Sequence, residues 1–537
     1  MNRKDSRRMR RSLLGGIFAL LLALSLMLLC GCGGGEEESA AEGVSSQGAD
    51  GLSRKTMQCR SSADGMALRI SLYCPEGYDN AHSRPLILVL PGTPFPQTPP
   101  MGHALVARLE SARPAECPQW LLQQDFQDAE GFLRENLPVE QEQVYVAGRG
   151  RSGLEFACRE ALSLAGAFLV FQSEDDFPLK GIPLRNLRNL SLWLDLSRCP
   201  QPPPAALELK ERMEEFAANA NARFRCPTSL LGLPQEEEVL LSAFSWLSSQ
   251  NSLRDDIVWE CPPGEAFPDA WIRGETRQNP AFPATLQASR ELDSRGWAAI
   301  RVGVGNLRAF ALQTDDEAFP QGRPIRLEIQ NQTLFLSSHR GWLRIAREPS
   351  SGKWTAESHN PEERLGETAP PGGFWNLFRR PVVVVTGTLR DGRDALWHQA
   401  AERLSQEWEK RTGKPLLVRK DTQVSASDLE GRNVLLLGSP AENRLTEELL
   451  SDDPSFLRRL FQVLPPEERT NEQLCALTLS PADKFGSGTL ALVAVANDSE
   501  EAVNAVVEHI LKDSPGDYLL ATPTLQKNGF YRDWMIQ

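Results

Sequence analysis

Between residues 52 and 250, continuous apolar runs alternate with stretches of helical spacing. Met66 to Tyr73 alternates as a half-buried strand does. By contrast, Pro85-Leu86-Ile87-Leu88-Val89-Leu90 is apolar throughout and ends at Pro91-Gly92-Thr93. An unbroken apolar run closed by a turn is the pattern of a strand covered on both faces. Gln143 to Ala147 and Leu190 to Leu196 give further strands, and Leu154 to Ala165 and Val239 to Leu247 carry helical periodicity. Strands alternating with helices predict an open, mostly parallel α/β sheet.

The pattern changes over residues 251–380. Ala298 to Val304, Ala309 to Gln313, Ile325 to Ile329, Thr333 to Leu336 and Trp342 to Ala346 are short strand-like runs, separated by clusters such as Asp315-Asp316 and Gln321-Gly322. That spacing predicts a β-rich, sandwich-like domain. Trp271, Trp297, Trp342 and Trp354 form either a carbohydrate-stacking face or core and interstrand packing, the second being the commoner use of such residues. Gly303-x-Gly305 lacks a third glycine and a following helix, so it is not a dinucleotide fingerprint.

From 381 to 537 the strand–helix alternation returns. Pro381 to Thr388, a buried strand entering a glycine turn, Leu416 to Val418, Asn433 to Gly438 and Thr489 to Ala496 read as strands, and Arg393 to Arg411 and Glu500 to Leu511 as helices. A further helix is expected to open at Ser439-Pro440, with Ser439 as its cap and Pro440 in its first position. The prediction is a Rossmann-like, doubly wound domain. Gly438-Ser439 would lie at a strand's C-terminal end, where such folds bind ligands, although simple capping also explains it.

The first 51 residues have a different character. Arg3, Lys4, Arg7, Arg8, Arg10 and Arg11 precede an apolar run from Leu13 to Cys30. A basic segment followed by an apolar one reads as a bacterial export signal. Leu29-Cys30-Gly31-Cys32 fits a lipobox, with Cys32 lipidated after cleavage; an uncleaved membrane anchor is the other reading. On the first reading, residues 1–31 are a lipoprotein signal peptide and 32–51 a flexible linker. The expected location is the cell envelope, lipid-anchored on a periplasmic or extracellular face.

Composition sharpens this. The chain has 71 acidic and 58 basic residues, a net charge of −13. Losing the leader makes it more acidic still, so nucleic acid is a poor partner. Beyond Cys32 stand Cys59, Cys74, Cys117, Cys158, Cys199, Cys226, Cys261 and Cys475. Export permits disulfides, with Cys59–Cys74 across a hairpin and Cys199–Cys226 as candidate pairs. No Cys/His spacing fits a metal site, and no cofactor motif appears.

The chemistry concentrates after the third strand. Val144-Tyr145-Val146-Ala147-Gly148-x-x-x-x-Gly153, following the strand that ends Leu90-Pro91-Gly92, resembles the α/β-hydrolase superfamily, in particular its prolyl-oligopeptidase and esterase-like branches. The resemblance implies an elbow that holds a nucleophilic serine between a strand and a helix. Aligning Gly148 and Gly153 with the family's glycines puts Gly150 at the nucleophile position and Ser152 where the family has glycine. The family's base histidine is expected around Ser229 to Glu238, yet residues 104–338 contain no histidine. The loop at Pro91-Gly92-Thr93 also lacks the family's His-Gly motif. A hydroxyl without a base is a weak nucleophile at neutral pH. The frame therefore reads as a pseudo-hydrolase, without a nucleophile serine or base histidine.

Other roles are open at this stage. Ser152 is a displaced nucleophile or an ordinary helix-terminal serine. Arg149 and Arg151 bind an anion at the helix N-terminus or are solvated. His103 lies beside a proline-rich loop. The turn at Leu437 to Asn443 and the closing Asn528-Gly529-Phe530-Tyr531-Arg532-Asp533-Trp534 resemble an accessory domain that follows exported prolyl-oligopeptidase-like domains. The expected role is binding or scaffolding of a protein or glycan partner at a membrane, with an atypical serine hydrolase as the alternative.

Overall fold

The computed structural model describes Ser46–Gln47 and residues 53–529, apart from 76, 80, 97–101, 111–112, 115–116, 173–176, 197–200, 221–222, 228–235, 251–254, 263–266, 269, 280–281, 293–295, 315–323, 337–340, 359–373, 487–488 and 513–517. The signal segment with Cys32, Cys199, most of the 32–51 spacer and the end of the chain from Phe530 lie outside the described residues, as do the turns at 315–316 and 321–322.

The first sheet contains β1 (Ser46–Gln47), β2 (Ser53–Arg60), β3 (Ala67–Cys74), β4 (Arg84–Val89), β5 (Leu105–Glu110), β6 (Val139–Arg149), β7 (Gly166–Val170), β8 (Ser191–Asp195) and β9 (Phe224–Arg225). Their order is β1-β2-β3-β5-β4-β6-β7-β8-β9. The strands run parallel from β5 to β9, and β1 to β3 form an antiparallel edge. β7 and β8 are buried along their whole length, which is why their sequences are apolar without alternation. Helices α1 (Gln119–Asn136), α2 (Gly150–Arg159) and α3 (Pro204–Ala220) supply apolar residues to one face, beside Leu86 and Leu88. α4 (Glu236–Ser248) covers the other, where Phe244 meets Phe95, Tyr145 and Phe168, and Ile87 and Val89 join the same cluster.

Two expectations fail on this sheet. Ser46–Gln47 pairs with β2, so the linker does not stay unstructured up to Gly51. Cys59 and Cys74 are not bridged. The β2–β3 register sets Cys59 opposite Leu68 and Cys74 opposite Ser53, at different ends of the ladder. Every cysteine among the described residues, Cys226 included, is a free thiol.

The middle segment forms two sheets. β10 (Asp256–Cys261), β12 (Ala284–Leu292), β13 (Ala298–Gly305), β15 (Ile325–Ile329) and β16 (Gln332–Leu336) make one, ordered β10-β12-β13-β15-β16. β11 (Ile272–Arg277), β14 (Leu307–Gln313), β17 (Trp342–Arg347) and β18 (Trp354–Ser358) make the other. Leu286, Ile300 and Leu327 of the first sheet and Phe310, Leu312 and Ile345 of the second share one apolar cluster. That cluster continues into the first domain. Edge strand β10 is closed by two asparagines of the 3-10 helix Leu184–Asn189. Asn186 bonds both backbone groups of Glu260 (2.6 and 3.1 Å), and Asn189 both of Val258 (2.8 and 2.6 Å). Side-chain amides thus occupy edge groups that would otherwise template another strand.

The C-terminal sheet runs β20-β19-β21-β23-β22-β24-β25, with β19 (Val382–Thr386), β20 (Leu417–Lys420), β21 (Asn433–Leu437), β22 (Cys475–Pro481), β23 (Leu490–Ala496), β24 (Tyr518–Ala521) and β25 (Gln526–Gly529). β19, β20, β21 and β23 are parallel, but β22, β24 and β25 pair antiparallel. The expected doubly wound sheet is therefore a mixed one: hairpins join β22 to β23 and β24 to β25, while a helix, Glu500–Leu511, still crosses from β23 to β24. Helices α5 (Arg393–Thr412) and α7 (Glu500–Leu511) bury apolar residues in one cluster on the sheet, and α6 (Arg444–Leu449) supplies Leu445 to the cluster on the opposite face.

Arg113 joins this domain to the first. Its buried guanidinium forks onto Asp125 (2.7 and 2.8 Å) and Asp64 (2.5 and 3.2 Å) and donates to the Thr412 carbonyl at the end of α5 (3.0 Å). Lys414 reaches the Asp64 carbonyl. Beside them, Trp120 of α1 meets Phe378 and Trp408, which stack at 4.3 Å.

Candidate functional site

β6 leaves the centre of the first sheet and turns at Arg149 directly into α2. The turn is tight because two glycines touch. A Cβ on Gly148 would lie 2.5 Å from the Cα of Gly153, and one on Gly153 would lie 2.6 Å from the carbonyl carbon of Gly148. Gly150 stands at the tip with φ +54°, in the left-handed region that favours glycine. The turn has the strand–turn–helix form expected of an elbow, and its tip residue has no side chain. α2 starts at Gly150 and ends at Arg159, earlier at both ends than the expected Leu154 to Ala165.

Ser152 is on the flank of α2 rather than at the tip. Its hydroxyl accepts a hydrogen bond from Gln119 of α1 (2.7 Å), and its carbonyl accepts one from Gln123 (3.1 Å). Ser152 therefore ties α2 to α1 and does not cap the helix, whose first residue has no side-chain cap. Arg151 pairs with Glu155 at 2.7 Å along the same helix, and Arg149 is also engaged in a polar interaction.

The described histidines lie elsewhere in their bonding. His82 bonds Asp79 on the surface, His398 pairs with Glu402, and His103 is exposed on its loop. His509 is on α7, where burial and Lys512 pull its pKa down. The segment at 229–238, where the base was expected, has no described side chains. Thr93, in the position of the family's oxyanion loop, spends its N–H on the Leu90 carbonyl (3.2 Å).

One residue of this constellation escaped the sequence reading. Asp195 ends β8, fully buried, at the same end of the parallel sheet as the elbow. It follows the elbow in chain order, as the acid of a hydrolase triad does. The signal was a lone carboxylate closing the apolar run Leu192-Trp193-Leu194-Asp195. Burial pushes Cys59, Cys117 and Cys475 up to about 12, which keeps them protonated.

The expected ligand position at Gly438-Ser439 is filled by the protein itself. The helix after β21 begins four residues later than expected, at Arg444, and its cap is Asn443, whose Oδ1 accepts from Leu445 (3.0 Å). Ser439 instead forms a turn closed by Glu442, whose Oε2 accepts from the Ser439 N–H and hydroxyl, both at 2.8 Å. Asn443 also donates to the Val385 and Leu437 carbonyls at 3.0 and 3.1 Å, stapling β19 to β21 at their C-terminal ends. Arg393 completes the plug with a 2.9 Å bond to Glu442.

Burial raises the Glu442 pKa, but the Ser439 and Arg393 hydrogen bonds outweigh it and hold the carboxyl below its ordinary value of 4.5. A depressed folded pKa means stability present above the unfolded value and lost as pH falls through the folded one. Glu442→Gln is therefore expected to be destabilised at pH 7, with the gap to the parent closing as pH falls from 5 towards 3. Urea melts across that range give the gap, and a constant gap would contradict this linkage.

Trp271 and Trp354 are buried in the sandwich core, Trp297 packs edge-on to Phe335, and Trp342 lies under the Arg273 guanidinium at 4.4 Å. They do not form one stacking face.

No family model matches the chain, and no curated protein matches it. Among solved structures it is similar to S-formylglutathione hydrolase from Staphylococcus aureus, at 12% identity and TM-score 0.29, over 36% of this chain and 98% of that one. An esterase from Rhizomucor miehei matches at 13% and 0.30, over 39% and 86%. Oligopeptidase B from Trypanosoma brucei matches at 12% and 0.30, over 38% and 39%. Likeness at this level leaves the assignment to the chain's own topology. The parallel sheet, the glycine-paired elbow ending a central strand and the following helix make the N-terminal domain α/β-hydrolase-like.

Proposed function

We propose that the chain is a membrane-anchored, extracytoplasmic binding or scaffold protein built on a catalytically degenerate α/β-hydrolase domain. The observation that carries this reading is the elbow. Its left-handed tip and close glycine contact are present, yet glycine occupies the tip where the nucleophile belongs. Here the frame serves packing between β6 and α2, with no group to activate. The hydroxyl of Ser152 is held by Gln119, and no described histidine bonds to it. The anchor rests on the basic, apolar leader ending at Cys32.

A serine-directed fluorophosphonate probe on the purified full chain tests the first part. No labelling is expected; labelling of the parent that disappears in Ser152→Ala would establish the active-hydrolase alternative. Cell fractionation tests the second. Cys32→Ala is expected to leave the membrane fraction, and unchanged membrane retention of an exported Cys32→Ala chain would defeat the lipid anchor.

A further inference from the structure

One exposed face of the first sheet is basic. Strands β2, β3 and β5 alternate, and Met57, Cys59, Leu68, Ile70, Leu72 and Leu109 belong to the apolar cluster that α1 joins. The β2–β3 and β3–β5 registers therefore set Arg54 and Arg60 of β2, Arg69 and Ser71 of β3, and Arg108 and Glu110 of β5 on the opposite face. α4 packs on that face at β7 and β8. At the antiparallel edge the face stays open, and Arg54, Arg60 and Arg69 are exposed.

Four arginines stand there against one carboxylate, in a chain whose net charge is −13. That carboxylate is already engaged. Glu110 pairs with Arg54 at 3.5 Å, and Ser71 bridges them, accepting from Arg54 (2.9 Å) and donating to Glu110 (2.6 Å). Arg108 donates to the Phe95 carbonyl, a neutral acceptor that leaves its charge uncompensated. Arg60 and Arg69 are diagonal neighbours across the β2–β3 ladder and have no ion-pair partner among the described residues. The described acids of the flanking turns, Asp64 and Asp79, are bound to Arg113 and His82.

The N-terminal side of the chain enters the sheet at this face. β1 pairs with Ser53 and Arg54 of β2, so the backbone that leads back to Cys32 joins the ladder beside Arg54. Thirteen residues lie between Cys32 and Ser46, a reach of at most about 50 Å. A lipid on Cys32 would hold the face within that distance of a bilayer, where anionic headgroups attract arginines over a Debye length. Guanidinium forks on an open sheet face suit a planar array of phosphates.

From this we infer that the β2–β3–β5 face docks on an anionic membrane surface, its arginines pairing with phospholipid phosphates. The inference rests on the reading of Cys32 as a lipid anchor, which brings the face to the bilayer.

The purified full chain is reconstituted with vesicles of phosphatidylcholine alone, or of phosphatidylcholine and phosphatidylglycerol in equal parts. Flotation reads the anchor. Phenylglyoxal, which modifies accessible arginines, followed by mass spectrometry reads the face. Modification of Arg60 and Arg69 is expected to be about threefold or more lower on the anionic vesicles than on the neutral ones. It should recover in about 0.5 M salt, which screens exposed charges. Arg301, exposed on the sandwich, is expected to react equally with both. Flotation on both vesicle types, with Arg60 and Arg69 equally reactive, would overturn the docking face and leave the anchor standing. Flotation and protection on the anionic vesicles alone would keep the face and defeat the anchor, and flotation on neither would defeat both. Arginines unreactive on both vesicle types would mean that the chain itself covers the face, with the acidic Glu36 to Glu38 as occupant, and would overturn membrane docking.

Discussion

Gly153→Ala is expected to destabilise the N-terminal domain by about 3 kcal/mol, the upper part of the usual cost of overpacking. The added Cβ would lie 2.6 Å from the carbonyl carbon of Gly148 and 2.7 Å from its Cα. Both are backbone atoms of β6, a strand hydrogen-bonded on both sides, to β4 and β7. No side chain can turn away to make room, so either α2 lifts off the sheet or the strand shifts in its ladder. Lifting α2 would also break the bonds from Gln119 and Gln123 to Ser152 and separate Phe156 from Phe126, which meet edge-on at 5.6 Å. Gly131→Ala is the control. A Cβ there meets nothing within 4 Å, and α1 should gain about 1 kcal/mol from better helix propensity. Urea denaturation of the two variants against the parent measures both. Equal stabilities for parent and Gly153→Ala would mean that the glycine contact is not tight.

The elbow was legible because its determinants are local. An apolar strand run, two glycines five residues apart and a helical stretch lie within twenty residues, and the contact they make is short in sequence. The middle strands were legible for the same reason: Ile325 to Ile329 is a strand in both readings. α1 was not legible. Its inward face carries Gln123, Asp125 and Glu130 among Leu121, Phe126, Ala129 and Leu133, so polar residues interrupt the helical period. Those polar positions serve partners distant in sequence, Ser152 for Gln123 and Arg113 for Asp125. The helix start after β21 was misplaced because Ser439-Pro440 has the residue types of a cap and first turn, while Glu442 holds Ser439 in a separate turn. The Cys59–Cys74 pairing failed because hairpin proximity depends on register, which composition does not set.

Arg113→Met is expected to cost about 3–5 kcal/mol, the cost of removing one partner from a buried ion pair. The guanidinium is 1% exposed and, among the described residues, donates four hydrogen bonds to carboxylates and one to a backbone carbonyl. Burial alone would lower its pKa, but the bonds to Asp125 and Asp64 reverse that and raise it, so the charge is fixed at every working pH. Without it, Asp125 is a carboxylate in a low-dielectric setting that has lost the main group offsetting its desolvation. The Thr412 carbonyl, at the negative end of α5, loses its donor at the same time. The damage therefore has two parts, one within the first domain and one across the joint to the third. Arg113→Met with Asp125→Leu separates them. Replacing Arg113 and Asp125 removes one orphaned carboxylate and should recover part of the loss, while the missing bonds to Asp64 and Thr412 stay unrepaired. Differential scanning calorimetry of parent, single and double variants gives the comparison. A single variant within about 1 kcal/mol of the parent, the level of a surface ion pair, would show that Arg113 is not the joint. A double variant as unstable as the single one would place the whole cost at Asp64 and Thr412, and full recovery would place it all at Asp125.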